Sequence, residues 1–315
     1  MWSAAISYHG LMPATRHLWA FAALILCAAA PAPAHQGKAI AWDAKKDGDP
    51  KTYAVGGLRL TFASAKPAEE GDLPAPTLTI ASPRFGKIAF TGQAGFENPQ
   101  AQAAVVARLD PKADGPAVVY TDYSGGAHCC TDITIFEPIG GRWRKINAGE
   151  WNGGPALPPK DLDGDGLADF FLDDENFLYA FACYACGAAP PKIMDVIGGV
   201  WTDVSTAPRF ARVFEADAAR LKDGCAGDGG QNGLCAAYAA DMARLGRFTE
   251  GWTYVLAHYD RNDDWSWPDG CRVPRGHRAC PKDQVIKYKT YPEALKAFLV
   301  GTGYITAAEA AAAPH

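Results

Sequence analysis

Residues Asp161 to Asp169 read Asp-Leu-Asp-Gly-Asp-Gly-Leu-Ala-Asp. Carboxylates stand at positions 1, 3, 5 and 9 of this run, and glycine stands at position 6. Ca²⁺ is a hard ion that takes six to eight oxygens, so acids at alternating positions can wrap around it while glycine allows the sharp turn. Without a cation the same acids would crowd like charges into one loop. The expected ligands are Asp161, Asp163, Asp165 and Asp169, with Leu167 contributing its backbone carbonyl. Without an ion, the run is a solvated acidic turn between strands.

The flanks decide which kind of loop this is. An EF-hand needs a helix on each side and a Glu at position 12. Leu172 holds that position, and Pro155-Ala-Leu-Pro-Pro159 upstream cannot be helical. Downstream, Phe170–Leu172 and Phe177–Phe181 read as strands. The loop resembles those of the FG-GAP and VCBS-type repeats of integrin-like propellers and bacterial secreted proteins. That resemblance covers some fifty residues. It implies a loop between blade strands whose calcium stabilises structure and does no chemistry.

An internal repeat surrounds the loop. Ile139-Gly-Gly-Arg-Trp143 recurs as Ile197-Gly-Gly-Val-Trp201, and Asp110-Pro-Lys-Ala-Asp114-Gly115 matches the frame of Asp161 to Gly166. The spacing is that of a four-stranded meander, and each Gly-Gly pair fits a tight hairpin turn. In the first copy Lys112 and Val118 replace two of the ligands, so no calcium is expected there. Further strands are expected at Tyr53–Ala63, Thr77–Ala81, Lys87–Phe90, Ala104–Leu109, Val118–Tyr120 and Thr131–Phe136. Two repeats and an N-terminal sheet are too few to close a propeller. The expected fold is α+β, an antiparallel β-meander, partly propeller-like, followed by a small helical region.

That helical region begins beyond Pro208. Phe214, Ala218 and Leu221 share one helical face, as do Leu234, Tyr238 and Leu245, and then Phe248, Trp252, Val255 and Tyr259. Leu245-Gly-Arg-Phe-Thr-Glu-Gly-Trp252 resembles the turn of a tetratricopeptide-type helix hairpin, and Tyr291–Phe298 the start of another such helix. The Ala-rich end from Thr306 to His315 is expected to fray. Asp260, Asn262 and Asp264 repeat the 1-3-5 ligand spacing, but Trp265 holds the glycine position.

The first 34 residues look like a secretory signal. Arg16 and His17 precede the apolar run Leu18–Ala30, and Ala32-Pro33-Ala34 offers a cleavage site. Cys27 raises a lipid-anchor reading, but Leu26 stands where a small residue is needed. The division expected is a signal over 1–34, a β-rich repeat domain over 35–205, a helical disulfide-containing domain over 206–305 and a tail over 306–315. The mature chain carries no other apolar run long enough to span a membrane. The chain holds 30 Lys and Arg against 35 Asp and Glu. Removing the signal takes away Arg16 and no acid, which argues against nucleic acid or an anionic membrane as partner.

Cysteine usage fits export to a periplasmic or secreted location. Beyond Cys27 lie Cys129, Cys130, Cys183, Cys186, Cys225, Cys235, Cys271 and Cys280. Eight cysteines allow 105 pairings. Cys225–Cys235 and Cys271–Cys280 would each close a short polar loop. Joining Cys129 and Cys130 to Cys183 and Cys186 is expected to be less strained than bonding the vicinal pair together. His128 with these cysteines offers an alternative soft metal site, and Cys183-Tyr-Ala-Cys186 an alternative redox pair. Ser124-Gly-Gly and Ala127-His-Cys129 echo serine-protease segments but are fused in one turn, which does not supply a triad.

Three functions follow, the third a thiol- or copper-handling factor that depends on Cys183 and Cys186 being reduced. The first is an exported, calcium-binding, disulfide-stabilised, non-catalytic module with a protein or glycan partner in the envelope. The second is an exported hydrolase of envelope polymers or glycans, using acids such as Asp173-Asp-Glu175 or Asp260–Asp264 at hydrolase-like separations.

Overall fold

Three antiparallel sheets lie face upon face, and helices cover the last of them. This is seen in a computed structural model that describes residues 39–67, 69, 73–93, 102–123, 130–152, 158–227, 231–273 and 279–314. Residues 1–34, read above as a signal, and the stretch from Ser124 to Cys129 lie outside the described residues. Strand β1 (Ile40–Trp42) and the short helix α1 (Ala44–Asp47) open the chain. Strands β2 (Lys51–Val55), β3 (Leu58–Ser64), β4 (Pro76–Ser82) and β5 (Gly86–Thr91) form the first sheet in sequence order. Strands β6 (Gln102–Ala107), β7 (Ala117–Tyr123), β8 (Thr131–Ile139) and β9 (Arg142–Trp151) join β1 in the second, ordered β1-β6-β7-β8-β9. Strands β10 (Phe170–Asp173), β11 (Pro191–Ile197) and β12 (Val200–Asp203) make the third.

The second sheet is buried on both faces because successive side chains point to opposite sides. Val106, Val118, Tyr120 and Phe136 pack with Leu60, Phe62, Leu78 and Ile80 of the first sheet. Their chain neighbours Val105, Val119, Ile133 and Ile135 pack with Phe170, Leu172, Met194 and Val196 of the third. On the far side of the third sheet, Ile193 meets Phe210 and Phe214 at the start of the helical layer. The result is α+β, a stack of meanders that closes into neither a barrel nor a propeller.

The repeat turns take the backbone that Gly-Gly allows. Gly140 and Gly141 both have positive φ, as do Gly198 and Gly199, and Ile139 pairs with Arg142 as Ile197 pairs with Val200. Type I′ hairpins require that conformation at both central residues. The same turn occurs at Gly56–Gly57, where Val55 pairs with Leu58. It splits the expected strand Tyr53–Ala63 into a hairpin. A second expectation also fails. Phe177–Phe181 is not a strand: a 3₁₀ turn spans Glu175–Phe177, capped by Asp174, and Tyr179 has φ 59°. Phe177 and Phe181 instead plug the helical core, edge-on to Phe298. Tertiary packing of two aromatics overrides the local strand pattern.

The helical layer comprises α2 (Ala211–Cys225), α3 (Gln231–Arg244), α4 (Phe248–His258), α5 (Tyr291–Gly301) and α6 (Ala307–Ala312), with the small hairpin β13 (Gly270–Cys271) and β14 (Val285–Ile286). Gly246 ends α3 with φ 68°, and Arg247 N–H returns to the Met242 carbonyl, closing an antiparallel helix hairpin. Helix α6 carries a capping box between Thr306 and Glu309, and Trp252 Nε1 donates to the Pro314 carbonyl. Among the described residues no helix is long and apolar enough to cross a membrane.

The close approach of α3 and α4 depends on Gly251. A Cβ added there would lie 2.5 Å from Met242 Cβ. Gly301, in the last turn of α5, has open space around it. The two alanine variants are therefore expected to differ in sign. Gly301→Ala should gain up to about 1 kcal/mol from helix propensity, while Gly251→Ala should lose about 1–3 kcal/mol to overpacking. Urea denaturation of both checks this, and a stabilised Gly251→Ala would show that the helices part freely.

Candidate metal centre

The loop from Asp161 to Asp169 is closed at its base by paired backbone bonds between Lys160 and Asp169, each 2.9 Å. Ala168 N–H anchors it to the Arg108 carbonyl beyond the end of β6. Within the loop the carboxylates hold the backbone. Gly164 N–H donates to Asp161 Oδ1 (2.6 Å) and Gly166 N–H to Asp161 Oδ2 (3.1 Å). Asp165 N–H donates to Asp163 Oδ1, Leu167 N–H to Asp165 Oδ1 and Leu162 N–H to Asp169 Oδ2. Gly164 and Gly166 both have φ 87°, a backbone that explains glycine at each.

This winding draws Asp161, Asp163 and Asp169 together. One carboxylate oxygen of each lies within 4.8 Å of the others. Asp165 stands outside that trio on the exposed side of the loop, and Leu167 is half-buried beside it. The donor set is all oxygen, which suits a hard cation.

Two further residues belong to the site, and the loop motif does not reveal them. Asp195 reaches in from β11, and Arg209 from the turn before α2. Arg209 places Nε 2.7 Å from Asp163 Oδ2 and Nη2 2.6 Å from Asp195 Oδ2. The Asp163 contact is a charge contact without hydrogen-bond alignment, since Asp163 Oδ2 has no directed donor among the described residues. Asp195 Oδ1 also lacks a donor among them and faces Asp169. These two acids are 8% and 3% exposed. Burial first, then the neighbouring carboxylate, holds Asp169 well above the usual carboxylate range, against a lowering bond from Leu162 N–H. Burial likewise raises Asp195, although Asp169 and Arg209 oppose it. Two buried carboxylates face to face need a proton or a cation between them.

The other expected sites are placed as follows. Asp174 is structural: its Oδ1 accepts from Asn176, and its Oδ2 accepts from Tyr304 Oη (3.0 Å). Glu175 accepts from Asn152 N–H. Asp260 Oδ1 accepts from Asn262 N–H, and buried Asn232 ties the Asp260 carbonyl to Asp263. That segment is organised by Asn232 and not by a ring of its own acids.

Three disulfides join pairs within the described residues: Cys183–Cys186, Cys225–Cys235 and Cys271–Cys280. The expected link from Cys129 and Cys130 to Cys183 and Cys186 is therefore not made. Cys183 and Cys186 lie in a turn, where Cys186 N–H returns to the Cys183 carbonyl (3.0 Å), so the pair closes on itself. Cys130 is also disulfide-bonded; Cys129 and His128 lie outside the described residues.

Comparison with known proteins points to the helical layer first. A family model described as the sll0997 C-terminal domain matches residues 214–303. The probable thylakoid lumen protein sll0997 of Synechocystis sp. is 36% identical over 239 residues, covering 74% of this chain and 68% of the relative. The uncharacterized protein y4bJ of Sinorhizobium fredii is 29% identical over 281 residues, covering 86% of this chain and 43% of the relative. The chain thus spans about two thirds of the first relative and under half of the second. No solved structure matches.

The raised acids give the site a pH signature. An acid held above its unfolded value, 3.8 for aspartate, stabilises the fold in full below that value and loses the contribution as pH rises through the folded one. Metal-free protein is expected to lose stability as the pH climbs from about 5 to about 8. Calcium should cancel that loss and bind more tightly at the higher pH, since the pair must release its proton to the ion. Denaturant titrations at both pH values, with calcium and with chelator, check this. Equal pH slopes in the two would mean that the ion does not meet this pair.

Proposed function

The chain belongs to the family of the probable thylakoid lumen protein sll0997, and from that premise we propose an exported, disulfide-bonded, non-catalytic binding module stabilised by calcium. The observation that carries the reading is the trio of Asp161, Asp163 and Asp169 converging in an all-oxygen loop. Asp161, Asp163 and Asp169, with Asp165 and the Leu167 carbonyl, would hold the ion. Its positive charge would relieve the buried facing of Asp169 and Asp195. Arg209 supplies one positive charge to a group of five acids, so a divalent ion improves the balance without displacing it.

Export is supported by the signal-like first 34 residues, by the disulfides among the described residues and by the lumenal name of the relative. Disulfides persist in oxidising compartments. In this reading the protein works in the periplasm or a comparable lumen, with a protein or glycan partner. The likeness to FG-GAP and VCBS-type repeats is confined to the acidic loop and its meander, whereas the family match lies over the helices. The β-rich part over 35–205 and the helical part over 206–305 are proposed as its two domains. The hydrolase alternative is weaker, because Asp174 and Glu175 are engaged in capping and backbone contacts.

Extracellular calcium modules bind at about 10⁻⁴–10⁻³ M. At about ten times such a Kd, the gain in stability is about 1.4 kcal/mol, or about 2–4 °C in melting temperature for a chain of this size. Calorimetry of the protein in calcium and in chelator is expected to show that rise, and Asp163→Asn with Asp165→Asn to abolish it. If the double variant kept the full calcium response, the ion would have to sit elsewhere.

A further inference from the structure

The two repeats share a second feature besides the loop and the turn. An acid stands two residues ahead of each Ile-Gly-Gly: Asp195 before Ile197, and Glu137 before Ile139. Both project toward the next layer of the stack. Asp195 lies on the face of β11 that carries Ile193 toward the helices. Glu137 lies on the face of β8 that carries Ile133 and Ile135 toward the third sheet. The first copy therefore retains the strand acid even though its loop has lost two ligands.

Glu137 is 0% exposed, and neither Oε1 nor Oε2 has a partner among the described residues. Asp110, the counterpart of Asp161, is 2% exposed, and its charge acts on Glu137. Asp110 is fixed in place: Lys112 N–H donates to its Oδ1 (2.9 Å) and Gly199 N–H to its Oδ2 (3.1 Å). The first loop is held against the end of β8 by Asp114 N–H donating to the Pro138 carbonyl (2.8 Å). Burial first, then the Asp110 charge, pushes Glu137 up to about 7.

The second repeat answers its buried acids with Arg209. The first has no equivalent among the described residues. Arg144, which faces Glu137 across the β8–β9 ladder, is exposed and makes no ion pair with it. Lys112 is also exposed. A buried carboxylate with both oxygens open, beside a second buried carboxylate, is an arrangement that a bound cation completes.

We propose that Asp110 and Glu137 bind one hard cation of the Ca²⁺ class, forming a second ion site between the first repeat and the third sheet. Two carboxylates are fewer than the loop at Asp161–Asp169 offers, so this site is the weaker. Waters and backbone carbonyls would complete the shell, as hard-ion sites permit.

Isothermal titration of the full chain with calcium chloride, joined to thermal melts in calcium and in chelator, tests this. Wild type should bind two ions, Glu137→Gln one, and Asp163→Asn with Asp165→Asn one. In chelator Glu137→Gln should melt at or above wild type, because a buried charge is gone, yet gain less from calcium. Asp110→Asn keeps a hydrogen-bond acceptor for the backbone, and should lose the same ion if Glu137→Gln fails to fold. A single ion that persists in the loop variant and vanishes in Glu137→Gln would support this site while removing the loop. Equal stoichiometry and equal calcium gain in wild type, Glu137→Gln and Asp110→Asn would overturn the proposal and leave Glu137 as a buried protonated acid.

Discussion

A sheet buried on both faces needs an apolar layer on each side, and the order of this molecule follows from that need. The five strands of the second sheet present Val106, Val118 and Phe136 one way and Val105, Val119 and Ile133 the other. Neither neighbour is large enough to bury a core alone. The third sheet has only three short strands, and it is covered in turn by Phe210 and Phe214 of the helical layer. Burial of each face stabilises by about 25 cal/mol per Å² of apolar surface, so each layer depends on the one beside it. Phe177 and Phe181 extend this dependence by leaving the β region to fill the helical core.

Charge follows the same layered plan. In each repeat an acid near the end of the second strand after the loop looks toward the next layer and lies near an acid from the loop. In the second repeat Arg209 comes back from the helices to pair with both Asp163 and Asp195. The guanidinium therefore joins loop, sheet and helix at one point, with the strength of a partly buried charged contact. In the first repeat the loop acids fasten turns instead. Asp110 accepts from the amide of Gly199 and Asp114 from that of Gly141, one from each repeat turn.

Much of this could be read in the chain. The repeat turns, the helix hairpin at Gly246 and two of the disulfides were legible because each rests on local chemistry. Gly-Gly permits a tight turn, glycine stops a helix, and short polar loops suit local bridges. The Gly56–Gly57 turn carried the same signal but was hidden by the continuous apolar alternation of Tyr53–Ala63. Phe177–Phe181 misled because its partners, Phe298 and Tyr304, lie more than a hundred residues away. The Cys183–Cys186 pair stood only as the redox alternative, because a strand was assumed where the chain turns. Asp195 and Arg209 could not be found from the loop, since spatial neighbours on other elements leave no spacing within the motif. The strand acid did leave a trace, its fixed offset from Ile-Gly-Gly in both copies.

The two ends of the stack differ. The outer face of the first sheet carries Arg59, Thr61, Thr77, Thr79 and Lys87, none of them buried, while the opposite end is closed by helices. Repetitive β architectures face a standing hazard: a last layer that resembles the first invites another molecule to dock as the next layer, and head-to-tail growth then runs on into a fibre. Among the described residues one end is a sheet with a polar outer face and the other is covered by helices, so the two ends do not present the same kind of layer. Ends that are unlike remove the like-to-like match on which such head-to-tail growth depends.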